Sequence, residues 1–216
     1  MSYVITRQQT AEKVASLLLN IRAIKLSVHK PFTWASGWKS PIYCDNRLSL
    51  SYPDIRTEIR NGLVDSIREY FPLVNAIAGV ATAGIAQGAL VADAMQLPFA
   101  YVRPKPKEHG MENLIEGRIE KGNKAVVVED LVSTGGSSLK AVQALRDSGA
   151  DVLGMVSIFT YGFDVAEKSF EKLGVQLVSL SDYTTLVKCA IDQKVVSETE
   201  LVSLKAWRFD PASWNG

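Results

Sequence analysis

What this chain lacks narrows its chemistry first. Only two cysteines, Cys44 and Cys189, occur in 216 residues. They are far apart and have no Cys-x-x-Cys spacing, so neither a disulfide framework nor a zinc site is implied. Two histidines, His29 and His109, without a Gly-x-Ser-x-Gly elbow argue against a serine or cysteine hydrolase. His29, between Val28 and Lys30, reads as a structural or surface residue. His-Glu-x-x-His is missing, which removes the zinc-peptidase pattern, and so are the P-loop and the Gly-x-Gly-x-x-Gly dinucleotide fingerprint. The formal net charge is only +1, far from the basic excess that a nucleic-acid or membrane-surface binder needs. No apolar run approaches transmembrane length, and the opening Met-Ser-Tyr-Val-Ile-Thr-Arg-Gln has no signal-peptide core. A soluble, cytoplasmic protein with no nucleic-acid or membrane partner is the expectation.

What is present is an ordinary globular balance, 47% hydrophobic and 22% charged, with no low-complexity tract or internal repeat. The length suits one α/β domain with an appendage. Ala11, Val14, Leu17 and Leu18 fall at helical spacing within residues 9–20, and Ile55, Ile59, Leu63 and Ile67 do so within 53–70. Residues 24–46 read as short strands and turns. Strands are then expected at 76–80, 99–102, 125–128, 152–159 and 175–180, separated by helical segments and by a long polar stretch, 103–123. This alternation predicts an α/β fold, doubly wound about a mostly parallel sheet. The whole chain, 1–216, reads as a single domain with a core of about 53–181. A small cap, formed by the N-terminal segment (about 1–50) and the C-terminal tail (182–216), is expected over the carboxyl edge of the sheet. The tail's aromatic residues Trp207, Phe209 and Trp214 suggest packing rather than ligand stacking.

Residues 126–138, Val-Val-Val-Glu-Asp-Leu-Val-Ser-Thr-Gly-Gly-Ser-Ser, are the most informative stretch. Three β-branched residues make a short buried strand, and Glu129 and Asp130 stand where it is expected to end. A turn rich in hydroxyls then feeds a helix expected over 137–148. In open α/β sheets, ligands bind where loop amides and a helix N-terminus converge at the carboxyl ends of strands. A phosphate would sit in the Gly135-Gly136 turn, while the two acids would face a neutral polyol or a metal. A sugar phosphate suits both halves. The plainer alternative is an ordinary turn with Ser137 as N-cap and two solvated acids. Such a turn rarely combines two acids, paired glycines and four hydroxyl residues in so short a span.

The run resembles the phosphoribosyl-pyrophosphate (PRPP) motif of the type I phosphoribosyltransferases, and Glu129 to Ser137 is similar to its orotate phosphoribosyltransferase version. Two further segments resemble that branch: Phe32-Thr33-x-x-Ser36-Gly37-x-x-Ser40-Pro41 and Arg103-x-x-x-Lys107-x-His109-Gly110. The resemblance spans about residues 10–205. It implies transfer of the 5-phosphoribosyl group from PRPP to orotate, giving orotidine 5′-monophosphate and pyrophosphate in pyrimidine (UMP) biosynthesis. The expected course is an oxocarbenium-like displacement that inverts C1′.

Residue by residue, the resemblance implies that Glu129 and Asp130 hold the ribose hydroxyls, directly or through Mg²⁺. The amides of Leu131, Val132, Ser133, Thr134, Gly135, Gly136 and Ser137 would hold the 5′-phosphate. Ser133, with backbone near Tyr43 and Cys44, would meet the base. Arg103, Lys107 and His109 would grip the leaving pyrophosphate from a loop that reaches the neighbouring subunit of a homodimer. Mg²⁺ has an independent warrant, because two carboxylates beside a pyrophosphate repel it unless a divalent cation intervenes. Thr82-Ala83-Gly84 stands where the family has its pyrophosphate loop, although the residues alone fit a plain helix start equally well. Likewise 103–123 on its residues alone is a solvated loop, mobile without ligand, and 32–44 is a structural hairpin.

Many relatives carry lysines where this chain has Ala35 and Ala83, and an orotate-contacting arginine near Tyr161. This chain looks like a branch without them, and Arg47 is the candidate for the lost charge. Two alternatives share the motif: a phosphoribosyltransferase for another base, and a non-catalytic PRPP-sensing regulator on the same fold. The regulator would want a nucleic-acid-binding element, and nothing in the composition supplies one.

Overall fold

The computed structural model describes residues 3–34, 37–105 and 114–214. Strand β1 (Tyr3–Ile5) and helix α1 (Gln8–Asn20) open the chain. Four short strands follow: β2 (Ile24–Leu26), β3 (Phe32–Thr33), β4 (Lys39–Ser40) and β5 (Ile42–Cys44). A 3₁₀ turn (Asn46–Ser51) leads into α2 (Pro53–Tyr70), with the proline in its first turn, where a missing N–H costs nothing. Then come β6 (Ala76–Val80), α3 (Ala83–Met95), β7 (Phe99–Val102), β8 (Ile115–Gly117), β9 (Lys124–Val132), α4 (Gly136–Asp147), β10 (Asp151–Thr160), α5 (Asp164–Lys172) and β11 (Leu177–Asp182). Two helices, α6 (Tyr183–Asp192) and α7 (Glu198–Phe209), end the described chain.

Seven strands form one sheet in the order β1-β11-β10-β9-β6-β7-β8. Every pair is parallel except the edge pair β7–β8. The chain moves outward from β6 to β7 and β8, then returns to the other side of β6 as β9 and proceeds to β10 and β11. The connections after β6 and after β9 therefore diverge in opposite directions, which opens a crevice between them at the carboxyl edge.

Side-chain alternation builds the two layers. Val126 and Val128 join the core beneath α1, α2 and α3, whereas Val127 joins the core beneath α4 and α5. A Cβ added to Gly84 would lie 2.5 Å from the carbonyl oxygen of Val128. Helix α3 can approach the central strand this closely only because that position lacks a side chain.

The predicted doubly wound, mostly parallel sheet is present, with four differences from the sequence expectation. Strand β9 does not stop at Val128 but continues to Val132, because Leu131 and Val132 pair with Phe159 and Thr160. The polar stretch 103–123 contains a strand, β8, which pairs antiparallel with β7 and makes a hairpin of it. The last strand is shifted to Leu177–Asp182 from the expected 175–180. The first fifty residues are not all cap, since β1 adds to the main sheet beside β11. Short apolar triplets such as Tyr3–Ile5 and Ile115–Gly117 carry too few alternations to be read locally; their partners in the sheet define them.

Within the N-terminal part of the expected cap, the β2–β5 and β3–β4 pairs and the 3₁₀ turn stand outside the main sheet. Trp207 of α7 is fully buried and donates its indole N–H to the carbonyl of Lys39 at 3.2 Å, which ties the tail to the β3–β4 hairpin. It meets Trp34 and Tyr161 edge-on at 5.5 and 5.6 Å. Packing is therefore the role of Trp207, as the tail's composition suggested, whereas Phe209 is 90% exposed. Among the described residues, no helix is long and apolar enough to cross a membrane.

Candidate active site

Glu129 and Asp130 follow Val128, the last residue of β9 that pairs with β6, so both stand at the carboxyl edge of that pair. Glu129 is buried, and its carboxylate accepts from the Ser138 hydroxyl at 2.9 Å and from the Asp130 amide at 3.1 Å. Burial pushes its carboxyl well above the ordinary range, and the neighbouring Asp130 charge adds to this. Asp130 is raised too, chiefly by burial, while hydrogen bonding from Glu129 and the nearby Arg47 charge act against the shift. Burial is thus the leading cause of both shifts. The two acids are not the solvated pair that an ordinary turn would carry.

Helix α4 begins at Gly136, one residue before the expected start. Its N-cap is Gly135, not Ser137, with φ +80°. No side chain caps it, and no acid lies in its first turn, so its leading amides are free to meet an anion. Gly135 is required for the turn, since a Cβ there would be 2.8 Å from the Phe170 ring and its φ lies in the left-handed region. Leu131 and Val132, expected among the phosphate-binding amides, belong to β9, where they pair with Phe159 and Thr160 of β10. The turn proper is Ser133-Thr134-Gly135. Thr134, Gly136 and Ser137 are exposed and Ser133 is half-buried.

Thr82-Ala83-Gly84 stands at the neighbouring strand end, with Thr82 as N-cap of α3 and a cis peptide bond between Ala81 and Thr82. Through Gly84 this turn rests on the Val128–Glu129 backbone. The structure therefore brings the second candidate loop against the first. Arg103 leaves the end of β7, where Nη1 meets Glu116 at 3.4 Å. Arg103, Ala81, Gly136, Ser137 and Lys140 line one cavity of about 530 Å³. Lys107 and His109, together with Ala35, lie outside the described residues.

The cap supplies the fourth wall. Tyr43 and Cys44 form β5, with Tyr43 42% exposed and tilted against Phe32 at 5.6 Å. The Asn46 side-chain amide donates to the carbonyl of Asp130 at 2.8 Å, so this segment is fixed to the motif. Arg47 forks onto Asp45, with Nε 2.7 Å and Nη2 3.0 Å from its two oxygens. Tyr161, where relatives were expected to carry arginine, is buried in the aromatic cluster between Trp34 and Phe163. Burial holds its hydroxyl well above the usual tyrosine range, so it is a neutral group.

Two members of this constellation escaped the sequence reading. Ser138 had a signal, being the last residue of the motif. Asn46 had none, because Cys-Asp-Asn-Arg forms no recognised pattern. Among the described residues, no group of three or more histidines, cysteines or acids could hold a metal by itself. Glu129 and Asp130 can supply only part of a shell, so a hard cation fits here only when a phosphate-bearing ligand brings the remaining oxygens.

A family model described as the phosphoribosyl transferase domain matches residues 51–194. The chain is 58% identical over 203 residues to the orotate phosphoribosyltransferase of Cytophaga hutchinsonii, covering 94% of this chain and 97% of that one. It is 55% identical over 201 residues to the orotate phosphoribosyltransferase of Porphyromonas gingivalis, covering 93% and 96%. Among solved structures it is similar to orotate phosphoribosyltransferase from Aeropyrum pernix, with TM-score 0.74 and 28% identity over 85% of this chain and 99% of that one.

Proposed function

Since the chain belongs to the phosphoribosyl transferase family, and within it to the orotate phosphoribosyltransferases, we infer that it transfers the 5-phosphoribosyl group of PRPP to orotate. The products are orotidine 5′-monophosphate and pyrophosphate, a step of pyrimidine biosynthesis. The observation that carries this reading is the strand-order reversal, where an uncapped helix start stands beside the buried Glu129 and the half-buried Asp130. One half donates to phosphate and the other accepts from ribose hydroxyls.

In the mechanism we propose, Glu129 and Asp130 hold the ribose, and the amides of Ser133 to Ser137 with the α4 N-terminus hold the 5′-phosphate. The C1′–O bond to pyrophosphate breaks early, and the orotate ring nitrogen attacks C1′ from the opposite face. Ser133 and the Tyr43–Cys44 backbone orient the base. Arg103, Lys107 and His109 place positive charge and donors where negative charge builds on the leaving group, and Thr82–Gly84 let backbone approach it. Mg²⁺ bound with PRPP would neutralise diphosphate charge beside Glu129 and Asp130. No side chain is asked to act as a strong base, because the acidic ring nitrogen of orotate needs none. Catalysis rests on orientation and electrostatics.

The proposal extends to a cytoplasmic homodimer in which the 103–123 segment reaches the neighbouring active site. A sedimentation mass equal to one chain would remove that part. The reaction is tested by the loss of orotate absorbance on adding PRPP and Mg²⁺, with adenine, hypoxanthine and uracil as controls. Orotate alone should turn over; its failure to do so would overturn the reading.

A further inference from the structure

Asn46 is a buried primary amide, 1% exposed, in a turn of the cap that no motif marks. Its side chain is used at both ends. Nδ2 donates to the Asp130 carbonyl at 2.8 Å, and Oδ1 accepts from the Cys44 thiol at 3.2 Å. Its own carbonyl accepts from the Ser49 hydroxyl at 2.6 Å, and Gln87 of α3 donates to that hydroxyl at 3.3 Å. Ser49 and Gln87 are buried as well, at 0% and 1% exposure. One small polar cluster thus joins three separate walls of the crevice: β5 of the cap, the acid-bearing end of β9, and the helix that follows Thr82.

Space-filling alone does not account for this cluster. A buried amide is tolerated only when its hydrogen bonds are met, and an apolar residue would fill the same volume without that requirement. What the amide adds is direction and register, because its bonds hold only when the Cys44 segment and the Asp130 backbone keep one spacing. That spacing is the one that matters chemically if Tyr43–Cys44 meet the base and Asp130 meets the ribose. It then sets the distance from the attacking nitrogen to C1′, and a misplacement of about 1 Å in such a pair can cost on the order of 10² in rate.

We propose that Asn46 is a positioning residue for the transfer reaction, holding the base-binding cap at a fixed distance from the ribose-binding strand end. It touches neither substrate and acts through the Asp130 carbonyl and the Cys44 thiol. The inference rests on the assignment of orotate and ribose to those two walls.

The test compares Asn46→Ala with wild type in steady-state kinetics, together with PRPP binding by calorimetry in the absence of orotate. Positioning predicts that kcat/KM for orotate falls by about tenfold or more, while PRPP dissociation changes by less than about threefold. Ser66→Ala removes another buried serine hydrogen bond, to the Gly62 carbonyl within α2, and should leave both quantities as in wild type. An Asn46→Ala enzyme whose orotate KM is unchanged, and whose kcat falls only with its folded fraction, would reduce Asn46 to a structural residue and overturn the proposal. If Asn46→Ala does not fold, Ser49→Ala decides the matter. It loosens the same cluster from its outer side and should lower kcat/KM for orotate by a few-fold, and no change there overturns the idea. Wild type is assayed first with orotate, so a wrong substrate assignment shows as an inactive wild type rather than as an insensitive variant.

Discussion

Ser138 donates its hydroxyl hydrogen to Glu129 across the turn that separates β9 from α4, at 2.9 Å, with both side chains buried. The bond favours the charged carboxylate, yet burial and the adjacent Asp130 outweigh it, and Glu129 retains a raised pKa. The fold buries this acid without the partners that would fully offset the loss of water.

Glu129→Gln should therefore change how ligand-free stability depends on pH. A folded-state pKa above the unfolded one means that the folded chain holds a proton which the unfolded chain has released. This contribution is fully present below about pH 4.3, the ordinary glutamate value, and is lost as pH rises through the raised folded value. Glutamine has no proton to lose, so the variant should gain on wild type between pH 5 and pH 8 in chemical denaturation while transferase activity falls. A stability difference that is the same at both pH values would contradict the assignment.

Gly84→Ala should destabilise the protein by about 1–3 kcal/mol, because the new Cβ would lie 2.5 Å from the Val128 carbonyl oxygen, and its nearest neighbours are all backbone of β9. Gly136→Ala, which meets nothing within 4 Å, is the comparison and should stay close to wild type in stability. Thermal melts of the two separate them, and equal melting temperatures would show that α3 can shift away from β9.

Trp207 anchors the tail to the cap in two ways that substitutions can separate. Trp207→Ala should cost about 3–5 kcal/mol for the lost core volume. Trp207→Phe keeps most of the ring packing and forfeits the bond to Lys39, worth about 1 kcal/mol. Phe209→Ala, two residues on and 90% exposed, should be neutral. Denaturant midpoints rank the three, and a Phe209 effect as large as that of Trp207 would point to a buried role for Phe209.

Lys107→Ala should lower kcat by roughly 10², the loss of about 3 kcal/mol expected for a donor aimed at developing charge. A loss under about threefold would take Lys107 out of the reaction.

Arg47→Ala should raise the KM for orotate by about tenfold, as expected for losing a charge-assisted bond of about 1.5 kcal/mol, and leave the KM for PRPP near wild type. The guanidinium is already oriented by its fork onto Asp45, beside the exposed Tyr43 and on the same cap segment. An unchanged orotate KM would mean that the carboxylate of orotate is read elsewhere.

Much of this was legible because the signals were local. The five-residue β6 and the apolar spacing of α2 announce themselves, and Glu129 to Ser137 is a chemical signature as well as a turn. What escaped needed partners distant in sequence. Leu131 and Val132 look like turn residues until β10 is laid beside them, and β8 is a strand only because β7 pairs with it. Asn46 is ordinary in its own segment and gains meaning from Asp130, a residue brought to it by the strand order. The aromatic tail was readable as packing in Trp207 but not in Phe209, since composition does not tell which face of α7 is covered.

The β7–β8 hairpin has a consequence for how the loop carrying Lys107 and His109 works. The Arg103 amide donates to the Leu114 carbonyl at 2.8 Å, so the ends of the intervening segment are clamped together on the sheet edge. Joining distant chain ends carries an entropic penalty that grows with the logarithm of the loop length, and here folding has already met it. Under the proposed function, a pyrophosphate held by Lys107 and His109 would meet a segment whose ends are already joined, so part of the affinity of that hold would rest on a hydrogen bond that touches no substrate.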